Sequence, residues 1–141
     1  MSRGRVLALA GLGVLVVVLA WGAAAFLFWS QPRPVLPEAI AALGPTSRAT
    51  FTEGPAERFT WAPTGRSATT GLILYTGGKV PPSAYAPAAR AIAEEGFLVS
   101  IVPAPYDLAI LDRDAAQQVI DDHPEIRHWA VGGHSLGGAT A

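Results

Sequence analysis

The feature that most constrains this chain is an uninterrupted apolar segment near its amino terminus, residues 6–29. The segment contains 24 residues and no charged side chain. As an α-helix it would rise about 36 Å, against roughly 30 Å of bilayer hydrocarbon. Trp29 would then lie at the far interface, where indole rings prefer to sit. We therefore predict a transmembrane helix over residues 6–29, preceded by a short cytoplasmic amino terminus over residues 1–5.

The charges beside this segment favour an amino terminus on the cytoplasmic side. Arg3 and Arg5 precede it, and only Arg33 follows it closely, whereas cytoplasmic flanks carry an excess of basic residues. The rest of the chain would then be extracytoplasmic. A cleaved signal peptide is the alternative, since Ala23-Ala24-Ala25 offers small residues suited to cleavage. Against it, signal peptides have an apolar core of about 7 to 15 residues, which is much shorter. A buried helix of a soluble domain is disfavoured because the segment has no polar face.

Composition narrows the class of domain that follows. The formal net charge is −1 and the ten basic residues are scattered along the chain. Binding of nucleic acid requires a clustered basic surface, so we expect no nucleic-acid partner. The chain contains no cysteine, which excludes disulfides, a thiolate nucleophile and cysteine-based metal sites.

Residues 30–48 are predicted to form a juxtamembrane linker, and residues 49–141 a folded domain. Three prolines between residues 30 and 37 favour an extended spacer, and a short helix is predicted over residues 38–43. The domain opens with two weakly marked strands that are predicted to pair antiparallel, residues 49–52 and 58–62.

The remaining sequence alternates apolar runs with helical patterns. Short apolar runs typical of buried strands occur at three places, residues 71–75, 97–102 and 129–131. One helix is predicted over residues 83–95, capped by Ser83 or starting later because of Pro87, and a second over residues 113–122 with Asp112 as its cap. These two βαβ units predict an α/β fold with a mostly parallel sheet and helices on both faces.

A serine between glycines follows the last predicted strand. The segment Gly133-His134-Ser135-Leu136-Gly137 matches the nucleophile elbow G-x-S-x-G, in which a strained strand-to-helix turn lifts the serine hydroxyl clear of the sheet. Strand and helix approach so closely there that residues 133 and 137 must lack bulk, and Gly132 and Gly138 extend the small surface. We predict that Ser135 is a nucleophile. The alternative is a glycine-rich turn that binds phosphate.

A second glycine-containing loop, Thr76-Gly77-Gly78-Lys79, follows the first of these strands. Acyl transfer requires prepositioned donors for the developing oxyanion, each worth roughly 3 to 4 kcal/mol. The amide after the nucleophile, that of Leu136, is expected to be one donor. Gly78 or Lys79 is expected to supply the other. The alternative for this loop is a glycine turn beside a solvated lysine.

Residues 71–141 resemble the α/β-hydrolase fold-5 family of bacterial proteins. The resemblance rests on three segments: Gly71-Leu72-Ile73-Leu74-Tyr75-Thr76-Gly77-Gly78-Lys79-Val80, Ala84-Tyr85-Ala86-Pro87, and His123-Pro124-Glu125-Ile126 leading to Gly132-Gly133-His134-Ser135-Leu136-Gly137-Gly138. It implies an incomplete α/β-hydrolase fold, hydrolysis of a small acyl or ester substrate, Ser135 as nucleophile, and no cofactor. Thr76 departs from the family, which usually has proline there.

The base and the acid that should activate Ser135 are not evident. In the resembling fold they follow the serine in the order acid, then histidine, and the six residues after Ser135 include neither. His134 should project away from Ser135, while His123 and His128 should lie toward the opposite end of the sheet. We therefore expect this chain to be a fragment that is inactive by itself.

Two further possibilities complete the functional hypotheses. Acidic and histidine residues gather near the last helix end, but we interpret them as a solvated surface and expect no metal: Asp121, Asp122, His123, Glu125 and His128. A membrane-anchored domain that binds a ligand without catalysis, or an acyltransferase that uses the same nucleophile, is the alternative to a hydrolase.

Overall fold

The computed structural model describes residues 3–31 and 33–141. The chain divides into two compact units, one ending at Gln31 and the other running from Pro32 to Ala141. The first unit is a single helix, α1 (Arg3–Ser30), of 28 residues. By length and composition this helix can cross a membrane, a test that a signal sequence near an amino terminus also passes.

The second unit is built on a five-stranded mixed sheet with the strand order β1-β2-β4-β3-β5. Its strands are β1 (Ala49–Glu53), β2 (Phe59–Pro63), β3 (Thr70–Tyr75), β4 (Leu98–Val102) and β5 (His128–Gly133). The predicted antiparallel pairing of β1 with β2 is confirmed, and β2 is also antiparallel to β4. β3 is parallel to both β4 and β5, as the two βαβ units predict.

Four helices accompany this sheet: α2 (Pro37–Ala41), α3 (Ala86–Glu94), α4 (Ala115–Asp122) and α5 (Leu136–Thr140). Alternate side chains of a strand point to opposite faces. In β3, Leu72 and Leu74 pack on the core cluster that includes α3, whereas Ile73 and Tyr75 belong to the cluster that includes α4. Helices α3 and α4 therefore cover opposite faces of the sheet, as predicted.

The starts of α3 and α4 differ from the predicted caps. Pro82–Tyr85 forms a 3₁₀ turn, and α3 begins only at Ala86, which places Pro87 in the first turn. Proline is tolerated there because the first N–H groups of a helix lack intrahelical partners. Helix α4 begins at Ala115, so the cap predicted at Asp112 is wrong.

The burial of β5 also differs from the prediction. The apolar run over residues 129–131 was expected to form a buried strand, but Ala130 and Val131 are exposed and Trp129 is half-buried. β5 is an edge strand, paired only with β3 within the described residues. An apolar run predicts a strand, whereas its burial depends on which elements lie beside it.

Candidate active site

Two loops meet at the carboxyl edge of the sheet. The ends of β3 and β5 lie side by side, with Tyr75 paired to Gly133. The chain crosses from β3 to β4 over one face of the sheet and from β4 to β5 over the other face. Because β4 and β5 lie on opposite sides of β3, the two connections diverge at β3. Ligands of open α/β sheets bind in the crevice outside the carboxyl strand ends at such a divergence. The loops after β3 and β5 border this position.

Ser135 links β5 to α5 in a strained backbone conformation. Its φ is 53° and its ψ is −117°, a region that a residue other than glycine enters at a cost of about 1 to 3 kcal/mol. The residue is exposed. A sharp turn with an outward serine is the geometry that G-x-S-x-G predicts.

The glycines on both sides of Ser135 allow the strand and the helix to touch. A Cβ atom added to Gly133 would lie 2.4 Å from the Gly137 carbonyl carbon, and one on Gly137 would lie 2.3 Å from the Tyr75 oxygen. A Cβ on Gly138 would lie 3.0 Å from the Gly133 oxygen. Gly132 was expected to extend this small surface, but a Cβ there would meet no described atom within 4 Å, so the described packing does not require glycine at this position.

The predicted oxyanion donors differ in whether their N–H groups are already hydrogen-bonded. The Leu136 N–H begins α5 and so lacks an intrahelical partner. The Lys79 N–H donates to the Asp107 carbonyl at 2.9 Å, which leaves Gly78 as the available donor of the two candidates in that loop. A Cβ on Gly78 would lie 3.5 Å from Leu136 Cδ2. The two loops are thus in close proximity, and among the described residues the Gly78 amide has no hydrogen-bond acceptor.

Lys79 is buried and hydrogen-bonded, so the alternative interpretation of this residue as a solvated lysine is wrong. The residue is 8% exposed, has a φ of 62°, and donates from Nζ to the Tyr106 carbonyl at 2.9 Å. Its own carbonyl accepts the Arg33 N–H at 3.1 Å. Tyr106 and Asp107, which receive the two Lys79 hydrogen bonds, also have positive φ values, 56° and 54°. Lys79 therefore joins the loop after β3 to the loop after β4 and to the linker.

The Tyr75 hydroxyl at the end of β3 hydrogen-bonds the backbone near the start of α4. Its hydroxyl donates to the Arg113 carbonyl at 2.5 Å and accepts the Ala116 N–H at 3.0 Å. Burial raises the pKa of the Tyr75 hydroxyl above its ordinary value. The neighbouring Thr76 hydroxyl is buried and has no partner among the described residues. Threonine therefore leaves a buried polar group where the resembling family usually has proline.

The three histidines occupy separate positions. His134 directs its ring to Tyr85, with Nδ1 3.3 Å from the phenolic oxygen. His123 Nδ1 lies 3.1 Å from a Glu125 carboxylate oxygen. His128 opens β5 opposite Thr70, at the edge of the sheet away from the elbow. In the two described ranges, no histidine or carboxylate is hydrogen-bonded to the Ser135 hydroxyl.

The described residues contain no group of three or more potential ligands that could hold a metal ion. Just after the end of α4, the pKa of the Glu125 carboxyl is lowered, first by its own backbone N–H and further by His123. The Glu125 carboxylate therefore makes its contacts with its own backbone and with His123.

Sequence reasoning alone did not identify Tyr85 as part of this site. The tyrosine lies in the segment Ala84-Tyr85-Ala86-Pro87, which contributed to the family resemblance. The presence of Tyr85 in that segment was the signal that the sequence offered. The contacts of Tyr85 with residues 77 and 134 depend on the fold.

Comparison with known proteins gives a family and a fold. A family model described as the alpha/beta hydrolase family matches residues 71–141. An esterase from Pyrobaculum calidifontis superposes with a TM-score of 0.51 at 18% identity, covering 74% of this chain and 41% of that one. Esterase B from Lactobacillus rhamnosis superposes with a TM-score of 0.50 at 16% identity, covering 93% of this chain and 46% of that one. No curated protein matches the sequence significantly. The chain spans less than half the length of these esterases, and identities this low establish only the shared fold.

Proposed function

Because the chain belongs to the alpha/beta hydrolase family, we propose that Ser135 is the nucleophile of a serine hydrolase that acts on an ester or a similar acyl substrate. The observation that carries this proposal is the backbone of Ser135. A strained, exposed serine with φ 53° and ψ −117° stands between β5 and α5, beside a loop with an available amide. Strain of this kind persists where the surrounding structure enforces it.

The chemistry follows from these positions. The Ser135 hydroxyl oxygen attacks the acyl carbonyl carbon, and the carbonyl oxygen becomes an oxyanion that accepts hydrogen bonds from the Leu136 and Gly78 amides. The leaving alcohol departs with a proton, and water then hydrolyses the acyl-serine. A histidine must take the Ser135 proton, and a carboxylate must orient that histidine. In this fold both follow the nucleophile along the sequence.

We further propose that α1 anchors the protein in a membrane, with the hydrolase domain on the extracytoplasmic side. Support comes from the length of the helix and from the arginines at its start, Arg3 and Arg5. Basic residues concentrate on the cytoplasmic side of membrane-spanning helices.

A fluorophosphonate probe, which reacts with activated serines, tests the nucleophile. We expect the full-length protein in its own membranes to be labelled, and Ser135→Ala to lose the label. Ser67→Ala is the matched control, because Ser67 is also exposed but lies between β2 and β3. Labelling that survives Ser135→Ala and disappears in another serine variant would contradict the proposal.

A further inference from the structure

Tyr85 lies where the two loops of the proposed active site meet. It ends the 3₁₀ turn Pro82–Tyr85 and immediately precedes α3. Its ring is half-buried and packs on the core cluster between α3 and the sheet. Packing therefore restrains the ring, and with it the position of the hydroxyl group.

The Tyr85 hydroxyl contacts both loops at once. It accepts the Gly77 N–H at 2.8 Å and lies 3.3 Å from His134 Nδ1. Gly77 belongs to the loop after β3, and His134 immediately precedes Ser135. One oxygen atom therefore bridges the oxyanion loop and the nucleophile elbow.

The hydrogen inventory of these groups permits both contacts at once. A phenol has one O–H donor and can also accept. While its oxygen accepts the Gly77 N–H, the Tyr85 hydroxyl can still share a hydrogen bond with His134 Nδ1.

The bridge is tightly fitted. A Cβ atom on Gly77 would lie 2.8 Å from His134 Nδ1 and 3.1 Å from the Tyr85 oxygen. Glycine has more backbone freedom than any other residue, so Gly77 and Gly78 would otherwise vary widely in orientation. Here the Gly77 amide is held by Tyr85 and the Lys79 amide by the Asp107 carbonyl. The Gly78 amide lies between two fixed amides.

We propose that Tyr85 is a positioning residue: its hydroxyl ties Gly77 to His134 and thereby holds the Gly78 amide in place for the oxyanion formed at Ser135. The inference rests on the proposed function, since it assigns a role within that reaction. Tyr85 acts through the loop and the elbow and makes no contact with the reacting atoms.

Tyr85→Phe in the full-length protein tests this role with a short-chain nitrophenyl ester. We expect kcat to fall at least about 10-fold while KM stays within about two-fold, since loss of a whole oxyanion donor costs about 10² to 10³ in kcat. Tyr106→Phe is the matched control, because the Tyr106 hydroxyl is exposed and has no partner in the part of the chain that the structure describes. Its kcat should stay within about two-fold of the parent protein.

The other end of the bridge gives a second variant that leaves the core untouched. His134 is exposed, so His134→Ala should fold, and we expect its kcat to fall about 3- to 10-fold with KM unchanged. Combining it with Tyr85→Phe should lower kcat little further than Tyr85→Phe does, because both changes break one bridge. The nitrogen-15 shift of His134 Nδ1 should change in Tyr85→Phe, because that variant removes the hydroxyl group that lies 3.3 Å from this nitrogen.

The outcomes separate this inference from the proposed function. Unchanged kcat in Tyr85→Phe, or a rise in KM alone, would overturn the positioning role while leaving Ser135 as nucleophile. An unchanged nitrogen-15 shift of His134 Nδ1 in Tyr85→Phe would also overturn it. Hydrolysis that persists in Ser135→Ala would instead overturn the proposed function.

Discussion

Ser135 adopts a conformation that its neighbours enforce. Gly133 and Gly137 bring β5 and α5 into contact, and the serine between them takes up the turn at a φ of 53°. The spacing of the motif predicted this contact, because G-x-S-x-G encodes a close approach at two fixed offsets. It could not predict that Gly132 is unconstrained, since the direction of that Cβ depends on the strand's neighbours.

Alanine substitutions should distinguish the closely packed Gly137 from Gly132, which has open space beside it. In Gly137→Ala the new methyl group would lie 2.3 Å from the Tyr75 carbonyl oxygen, which is backbone and moves only with β3. We expect a loss of at least about 1 to 3 kcal/mol in the free energy of unfolding, measured by chemical denaturation. Gly132→Ala is the control and should stay within about 0.5 kcal/mol of the parent protein. Equal stability of the two variants would show that the elbow is not closely packed.

The choice between Gly78 and Lys79 as oxyanion donor required the fold. Local sequence offers two consecutive amides after Gly77, and nothing in the loop itself distinguishes them. The distinction comes from the Asp107 carbonyl, which occupies the Lys79 amide and belongs to the loop after β4. Partners so distant in sequence are set by how the strands are ordered in the sheet.

Among the elements, the strands and their pairing were more predictable than the element ends. Continuous apolar runs predicted β3, β4 and β5, and the spacing around a turn weakly predicted β1 and β2, because strands and the turns between them have a recognisable composition. Helix starts were less predictable: α3 begins three residues after Ser83, where Pro87 can occupy the first turn. The exposure of β5 was not predictable, since an apolar run looks the same at an edge as in the middle of a sheet.

A polar cluster ties the end of α3 to the start of β1 and should make stability depend on pH. Glu94 accepts a hydrogen bond from Thr46 at 2.9 Å and one from Arg48 at 2.5 Å. These contacts, the Thr46 bond first, lower the pKa of the Glu94 carboxyl below its ordinary value of 4.5. A lowered pKa means that the folded state favours the carboxylate, so this stabilisation is present above pH 4.5 and is lost as the pH falls through the lowered value.

Glu94→Gln should therefore have a shallower decline in melting temperature than the parent protein as the pH falls below 4.5. Glu95→Gln is the matched control, because the Glu95 carboxylate is more exposed and lies 3.9 Å from Arg48. Its melting temperature should follow the parent curve. Identical acid sensitivity in the parent protein and in Glu94→Gln would exclude a role for the Glu94 cluster.

At the scale of the whole molecule, α1 is the one helix among the described residues that is long and apolar enough to cross a membrane. The helix runs from Arg3 to Ser30, beyond both ends of the predicted apolar segment. The helix continues past the apolar segment at both ends, so an apolar run predicts the presence of a long helix better than its exact ends.

Charge placed in the middle of α1 should abolish membrane retention. In Leu15→Arg combined with Val16→Arg, each arginine costs about 2.5 to 3.5 kcal/mol at a helix centre. We expect the protein to move from the carbonate-resistant membrane fraction to the soluble or degraded fraction. Gly4→Arg, beside the existing arginines, should leave the protein in the membrane. A mature chain that begins near Ala25 would contradict the anchor and identify a signal peptide.

The two flanks of the sheet carry different risks of self-association. At one flank, β1 presents Thr50, Thr52 and Glu53 to solvent, which discourages pairing with another chain. At the other flank, and within the described residues, β5 exposes Ala130 and Val131 beside a row of backbone groups with no neighbouring strand. Such a row is a template for strand addition and is prone to seed aggregates. Among the described residues, the flank next to the serine proposed as nucleophile is thus also the flank more open to strand addition.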